Sequence, residues 1–422
     1  MLINITSISQ GLNMKTIVLL LLSLNCFSSV WENKNDWDIE WEKKYRQWIK
    51  EDFKANTYSK GKYKGIITDC ADAVYAARAI FSFENELPFV ISNTLGGPSL
   101  TLNNETIAFD DIEDDTDRFK AFINNLGHIV GTLSLAHHDT FPVDVQNIAP
   151  GDTYVTVNPD SSRHAYIIND ILETGYFDLL SSTVPRGVRG LLREYGSPTY
   201  LFPAAPFGFR RFKWPEHLEG LDTKISLDLG YGLNQYEIRE KYGVDFFNKT
   251  TQMIRKRSET IKNEIERVLK NIKNQFESRV QIVNESLKYQ EEIEGRCFNT
   301  QEYDSYSTPS RDSRIIQALD ALGKSWIKAK DEGNGFAVGE KEQLGLDYLI
   351  GENTSEDAGK KLEKMLKVKF RKGLFKKPKK IDLKRFYFGL KDGSISTNPN
   401  DSIFYRWGFV DKDKPRSTCQ QY

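Results

Sequence analysis

The chain has 422 residues, with 58 Lys and Arg against 59 Asp and Glu and a formal net charge of -1. Apolar residues make up 39% and charged residues 28%, which excludes a disordered chain and leaves length enough for two or more domains. With no excess of positive charge there is no global field to draw nucleic acid, and none is expected as a partner.

Residues 1–29 carry Lys15, an apolar run from Thr16 to Leu24 and a small or polar exit to Ser29, the pattern of a secretory signal peptide; Met14 offers an alternative start. The run is shorter than the roughly 20 residues a membrane helix needs. An exported protein, periplasmic or extracellular, is therefore expected. Cys26 could take a lipid anchor, but Asn25 precedes it where a small residue is usual, so anchoring is the lesser expectation. Beyond it lie Cys70, Cys297 and Cys419, an odd number for an oxidising compartment. The last two could bridge each other, leaving Cys70 free.

In residues 30–60, Trp37, Trp41, Tyr45 and Trp48 recur at helical spacing and predict a helix laying an aromatic stripe on the main domain. Residues 61–196 mix types. Ala71 to Phe83 reads as an alanine-rich helix with Thr68-Asp69 as its N-cap. The acidic run Asp110 to Asp115 lacks the glycine and ligand spacing of a calcium loop and reads as solvated. Strands are expected at Asp152–Val157, Ala165–Ile168 and Tyr176–Val184, and one helix followed by antiparallel strands makes the class α+β. Residues 197–234 begin with SPTYLFPAAPFGFRRFKWPE, whose prolines suggest an irregular strap.

Residues 235–295 give the strongest helical signal. Ile261, Ile265, Val268, Ile272, Phe276, Val280, Val283 and Leu287 form a stripe that departs from a strict heptad. It predicts a long helix packed within the protein or a short helical hairpin, with oligomerisation less favoured. Residues 296–422 read as α-rich, with a helix near Ile315 to Glu332 and a basic stretch from Lys360 to Arg385. That stretch is either a solvated face or a contact for an anionic envelope surface.

Cys70 stands where a helix N-terminus would favour a thiolate, while Asp69 and Asp72 oppose it, so a cationic partner would be needed for catalysis. Of the five histidines, His128 follows a helix end, His137 and His138 fall in a loop, and His217 lies in the strap. His164 opens a strand and is expected to face inward as the base. Pairing across a turn at Asp170–Gly175 sets its orienting partner among Ser181, Ser182 and Thr183, with Ser182 at the centre and Asp178 nearer the turn. The competing reading of Cys70 is a small buried core residue. No glycine loop or metal-ligand spacing occurs, so no cofactor and no metal are expected.

Asp69-Cys70 at a helix start, Pro150-Gly151-Asp152 leading into a strand and His164 opening the next one together resemble the NlpC/P60-like cysteine peptidases. That papain-like superfamily also includes the CHAP amidases. The resemblance covers about Tyr63 to Thr183 and implies a papain-like domain with Cys70 as nucleophile, His164 as base and Ser182 as orienter. It further implies hydrolysis of peptide or amide bonds, typically in cell-wall peptidoglycan, through an acyl-enzyme. The usual Asp-Cys-Ser-Gly is Asp69-Cys70-Ala71-Asp72 here, and the Cys-to-His interval carries an insertion around 91–145. An inactive envelope-binding or structural protein on the same fold, or an acyl or amide transferase on the same thiol, are the alternatives.

Overall fold

The computed structural model describes residues 29–92, 101–157, 161–198, 203–218, 228–366, 383–408 and 415–422. The proposed signal peptide with Cys26, and most of the basic stretch (367–382), lie outside the described residues. No described helix is long and apolar enough to cross a membrane.

Helix α1 (Ile39–Glu51) is capped by Asp38, which accepts from Trp41 N–H at 2.7 Å. Trp37 stands just before it, and Tyr45 and Ile49 are buried. Helix α2 (Cys70–Glu84) starts at a capping box. Asp69 accepts from Ala71 and Asp72 N–H, and the Asp72 carboxylate accepts from Asp69 N–H at 3.1 Å, so local sequence alone fixes where Cys70 falls. Every residue of α2 from Cys70 to Ser82 is buried, and its alanines let a sheet approach closely. A two-stranded ribbon, β1 (Val90–Ser92) with β2 (Thr101–Asn103), and helix α3 (Asp115–Leu126) complete this side. The end of the acidic run serves as a cap: Asp114 accepts from Asp117 N–H at 2.8 Å.

The main sheet has six antiparallel strands in the order β3-β8-β4-β5-β6-β7. They are β3 (Thr140–Pro142), β4 (Thr153–Val157), β5 (Arg163–Ile171), β6 (Phe177–Ser181), β7 (Leu192–Gly196) and β8 (Gly208–Phe212). The expected strands at 152–157, 165–168 and 176–184 are β4, the middle of β5 and β6. The expected irregular strap is corrected: after Pro206, the proline-free run Gly208–Phe212 inserts between β3 and β4 as β8. Strand alternation divides the sheet into two faces. Val155, Ala165, Ile167 and Leu180 pack under α2, whereas Tyr154, Tyr166, Ile168, Phe177, Leu179 and Phe209 form a separate core on the other face. Gly151 (φ 87°) turns the chain into β4 so close to Tyr45 that a Cβ would lie 2.6 Å from its ring, so only glycine fits.

The segment 235–295 is three helices rather than one: α4 (Asn234–Tyr242), α5 (Phe246–Ile254) and α6 (Ile261–Glu292). Gly243, with φ 50°, and the non-helical stretch after Arg255 make the breaks. Helix α5 covers the second sheet face through Phe246, and α6 lies along β7. Helices α7 (Thr300–Tyr306), α8 (Pro309–Asp331), α9 (Glu340–Ile350), α10 (Glu356–Leu366) and α11 (Leu383–Lys391) build an α-helical half on α6. Its core joins Ile265, Ile272, Phe276 and Val283 of α6 to Ile315, Leu319 and Trp326 of α8. Arg279 is fully buried there, its Nε donating to Asp312 at 2.5 Å and its Nη1 to Arg406 O at 2.8 Å. Cys297 and Cys419 form a disulfide with Cα atoms 5.6 Å apart, and Cys70 is the free thiol among the described residues.

Candidate functional site

Cys70 occupies the first turn of α2, as its caps require, with its sulfur against the backbone N–H groups of Ala71 and of Ala165 on β5. Both contacts favour a thiolate. They are outweighed by burial, reinforced by the negative charges of Asp69 and Asp72, and the thiol is pushed up to about 12. The residue is 6% exposed. Asp72 is itself raised to about 6 by burial and Asp69, although Arg186 Nε donates to it at 2.6 Å.

His164 does not stand beside this thiol. It lies one residue before Ala165 on β5, so its side chain leaves the opposite face of the sheet. Its ring meets Tyr166, two residues on, edge to face at 4.6 Å. The expectation of an inward-facing base next to Cys70 is therefore corrected. The strand register gives the under-α2 position to Ala165 and turns His164 towards the helical half. Burial, with the positive charge of Arg314 on α8 a second cause, pushes the imidazole down to about 3, leaving it neutral.

Ser182 follows the end of β6 and meets the chain just before α2. It accepts from Thr68 Oγ1 at 3.0 Å and donates to Thr68 O at 3.1 Å, pinning the strand end to the chain just before α2. That role is structural; the Ser182 hydroxyl spends its bonds on Thr68 and not on an imidazole. Asp178 is taken by Arg193, whose Nε donates to it at 2.8 Å. The residues expected as a triad are thus not assembled: Cys70 and His164 lie apart, and Ser182, tied to Thr68, serves neither of them.

His164 instead lines a cavity of about 290 Å³ between the ends of β5, β6 and β7 and the helices α6 and α8. Ser181, Ser182 and Thr183 form one wall, Arg189 and Arg193 another, and Arg311 and Arg314 reach in from α8; Cys70 does not line it. Comparison with family models, with curated proteins and with solved structures finds no match for this chain. The cavity arginines form no motif in the sequence. Their signal was present in the closely spaced Arg186, Arg189 and Arg193 and in Arg311 and Arg314, but two segments more than a hundred residues apart give no hint that they meet.

His137 and His138 are exposed on a π-helical turn (Leu135–Asp139), and His128 lies 3.0 Å from Arg186 Nη1. His217 is buried and stacks on Trp214.

Proposed function

We propose that the chain is a binding protein on a papain-like α+β frame, that Cys70 serves packing rather than attack, and that the cavity between sheet and helices is its binding site. One observation carries this reading: Cys70 and His164 occupy opposite faces of β5, so no imidazole lies beside the thiol to take its proton. The neutral state of both groups supports it, since a thiol held near 12 supplies almost no nucleophile at pH 7. The papain-like ancestry rests on the Asp69-Cys70 helix start against an antiparallel sheet. The disulfide fits an oxidising compartment, which favours an exported protein.

The test is to incubate the wild-type protein and Cys70→Ala with peptidoglycan fragments and with a chromogenic amide or ester. The expected result is no release that depends on Cys70. Release by the wild type that vanishes in Cys70→Ala would overturn the proposal and restore a hydrolase or transferase on this thiol.

A further inference from the structure

Four arginines face the cavity, and two are already neutralised. Arg193 is held by Asp178, and Arg314 Nη1 donates to Glu194 at 3.2 Å. Arg189 and Arg311 differ. Among the described residues neither has a carboxylate within ion-pair distance. Arg189 Nη2 donates to Pro185 O at 2.7 Å, and Arg311 Nε donates to Ser278 Oγ at 3.3 Å. Arg189 Nη1 is buried with no hydrogen-bond partner among the described residues, and the Arg311 terminal nitrogens donate to no described residue. The two side chains are close enough to repel: Arg311 is lowered to about 10 by burial first and by Arg189 and Arg314 after it. Glu285 on the α6 wall offsets part of the charge of both groups, but it bonds neither, and their remaining donors are placed to meet an entering anion.

We propose that this cavity binds a small organic oxyanion, a carboxylate or phosphate head held between Arg189 and Arg311. The inference rests on the binding reading above and names its ligand class. A planar guanidinium presents paired N–H donors that match two oxygens of either head, which a lysine could not do. The volume, about 290 Å³, is at the small end of ligand pockets and suits a small molecule. Glu277 and Glu285 on the α6 wall set a limit on charge, so the ligand carries one anionic head and a neutral or cationic remainder.

Calorimetric titration of the full chain at low salt with inorganic phosphate and with butyrate tests this. Saturable binding of either is expected. Tighter phosphate would indicate a phosphate ester, and tighter butyrate a carboxylate. Arg189→Gln and Arg311→Gln should each weaken binding about ten- to a hundred-fold, the loss of a charge-assisted hydrogen bond, and Lys341→Gln on α9 should leave it unchanged. Melting adds a readout that a structural role would not give. Arg311→Gln should melt no lower than wild type without ligand, because burial, Arg189 and Arg314 disfavour this cation more than Glu285 and Asp312 favour it, and phosphate should raise the wild-type Tm but not the variant's. No saturable binding, or equal binding in wild type and both Arg variants, overturns the proposal. If Cys70 is inert in the hydrolysis assay at the same time, the binding reading survives and only its ligand class is wrong; Cys70-dependent hydrolysis would instead remove the reading itself.

Discussion

Protonation of His164 separates a catalytic pair from a buried structural imidazole, and stability against pH reads it. A thiolate–imidazolium pair would hold His164 protonated and raise its pKa, a contribution full at low pH and lost as pH rises. The structure gives the reverse. Burial and Arg314 lower His164 from 6.5 to about 3, so between those values the unfolded chain binds a proton that the folded chain refuses. Stability must then fall as pH drops below 6.5, by about 1.4 kcal/mol per unit, with no contribution above 6.5. At pH 5 the cost is about 2 kcal/mol. Asp72 and Asp139, each raised to about 6 mainly by burial, work in the opposite sense: the folded carboxyls take up protons before the unfolded ones do. They remain in both proteins, so comparison of wild type with His164→Gln isolates the imidazole. Urea denaturation at pH 7.5, 6 and 5 should show the difference between the two proteins shifting by about 2 kcal/mol in favour of the variant across that range. A difference that does not change with pH, or one that moves in favour of the wild type on acidification, would refute the burial argument.

Two further predictions concern the helical half. Arg279→Leu leaves the buried carboxylate of Asp312 without its partner and strips donors from Arg406 O and Ser396 O, and should cost about 3–5 kcal/mol by denaturant titration. The double variant Arg279→Met/Asp312→Leu should recover most of that loss, and an equally unstable double variant would show that the ion pair is not the cause. Replacing both Cys297 and Cys419 by Ser opens a loop with a sequence separation of 122, worth up to about 5 kcal/mol on chain entropy. An unchanged denaturation midpoint would mean that the C-terminal residues do not depend on the bridge for their anchorage.

Local signals were the legible ones. The start of α2 followed from Asp69 and Asp72 because a cap is decided within four residues, and β4 to β6 followed from β-branched and aromatic runs between turns. The face of His164 was not legible. Its strand was found, but alternation means that a shift of one residue reverses the side to which a side chain points, and only the contacts of Ala165 with α2 fix that choice. The apolar stripe on α6 runs through Val280, yet Arg279 is the residue fully buried beside Phe276 and Val283. Apolar periodicity passes over an arginine whose partner, Asp312, lies on another helix. Proline content hides β8, because Pro203 and Pro206 before Gly208–Phe212 and Pro215 after it give the whole segment an irregular signature although the strand itself holds no proline.

The most direct measurement is the rate of Cys70 alkylation by iodoacetamide against pH, in the full chain carrying Cys26→Ser, with the Cys297–Cys419 bridge intact, in wild-type His164 and in His164→Ala backgrounds. The structure predicts negligible labelling of the native protein from pH 6 to 9, rapid labelling once it is unfolded, and the same behaviour in both backgrounds. Fast native labelling with an inflection well below pH 8 that moves upward in His164→Ala would contradict it and place a reactive thiolate–imidazolium pair at this site.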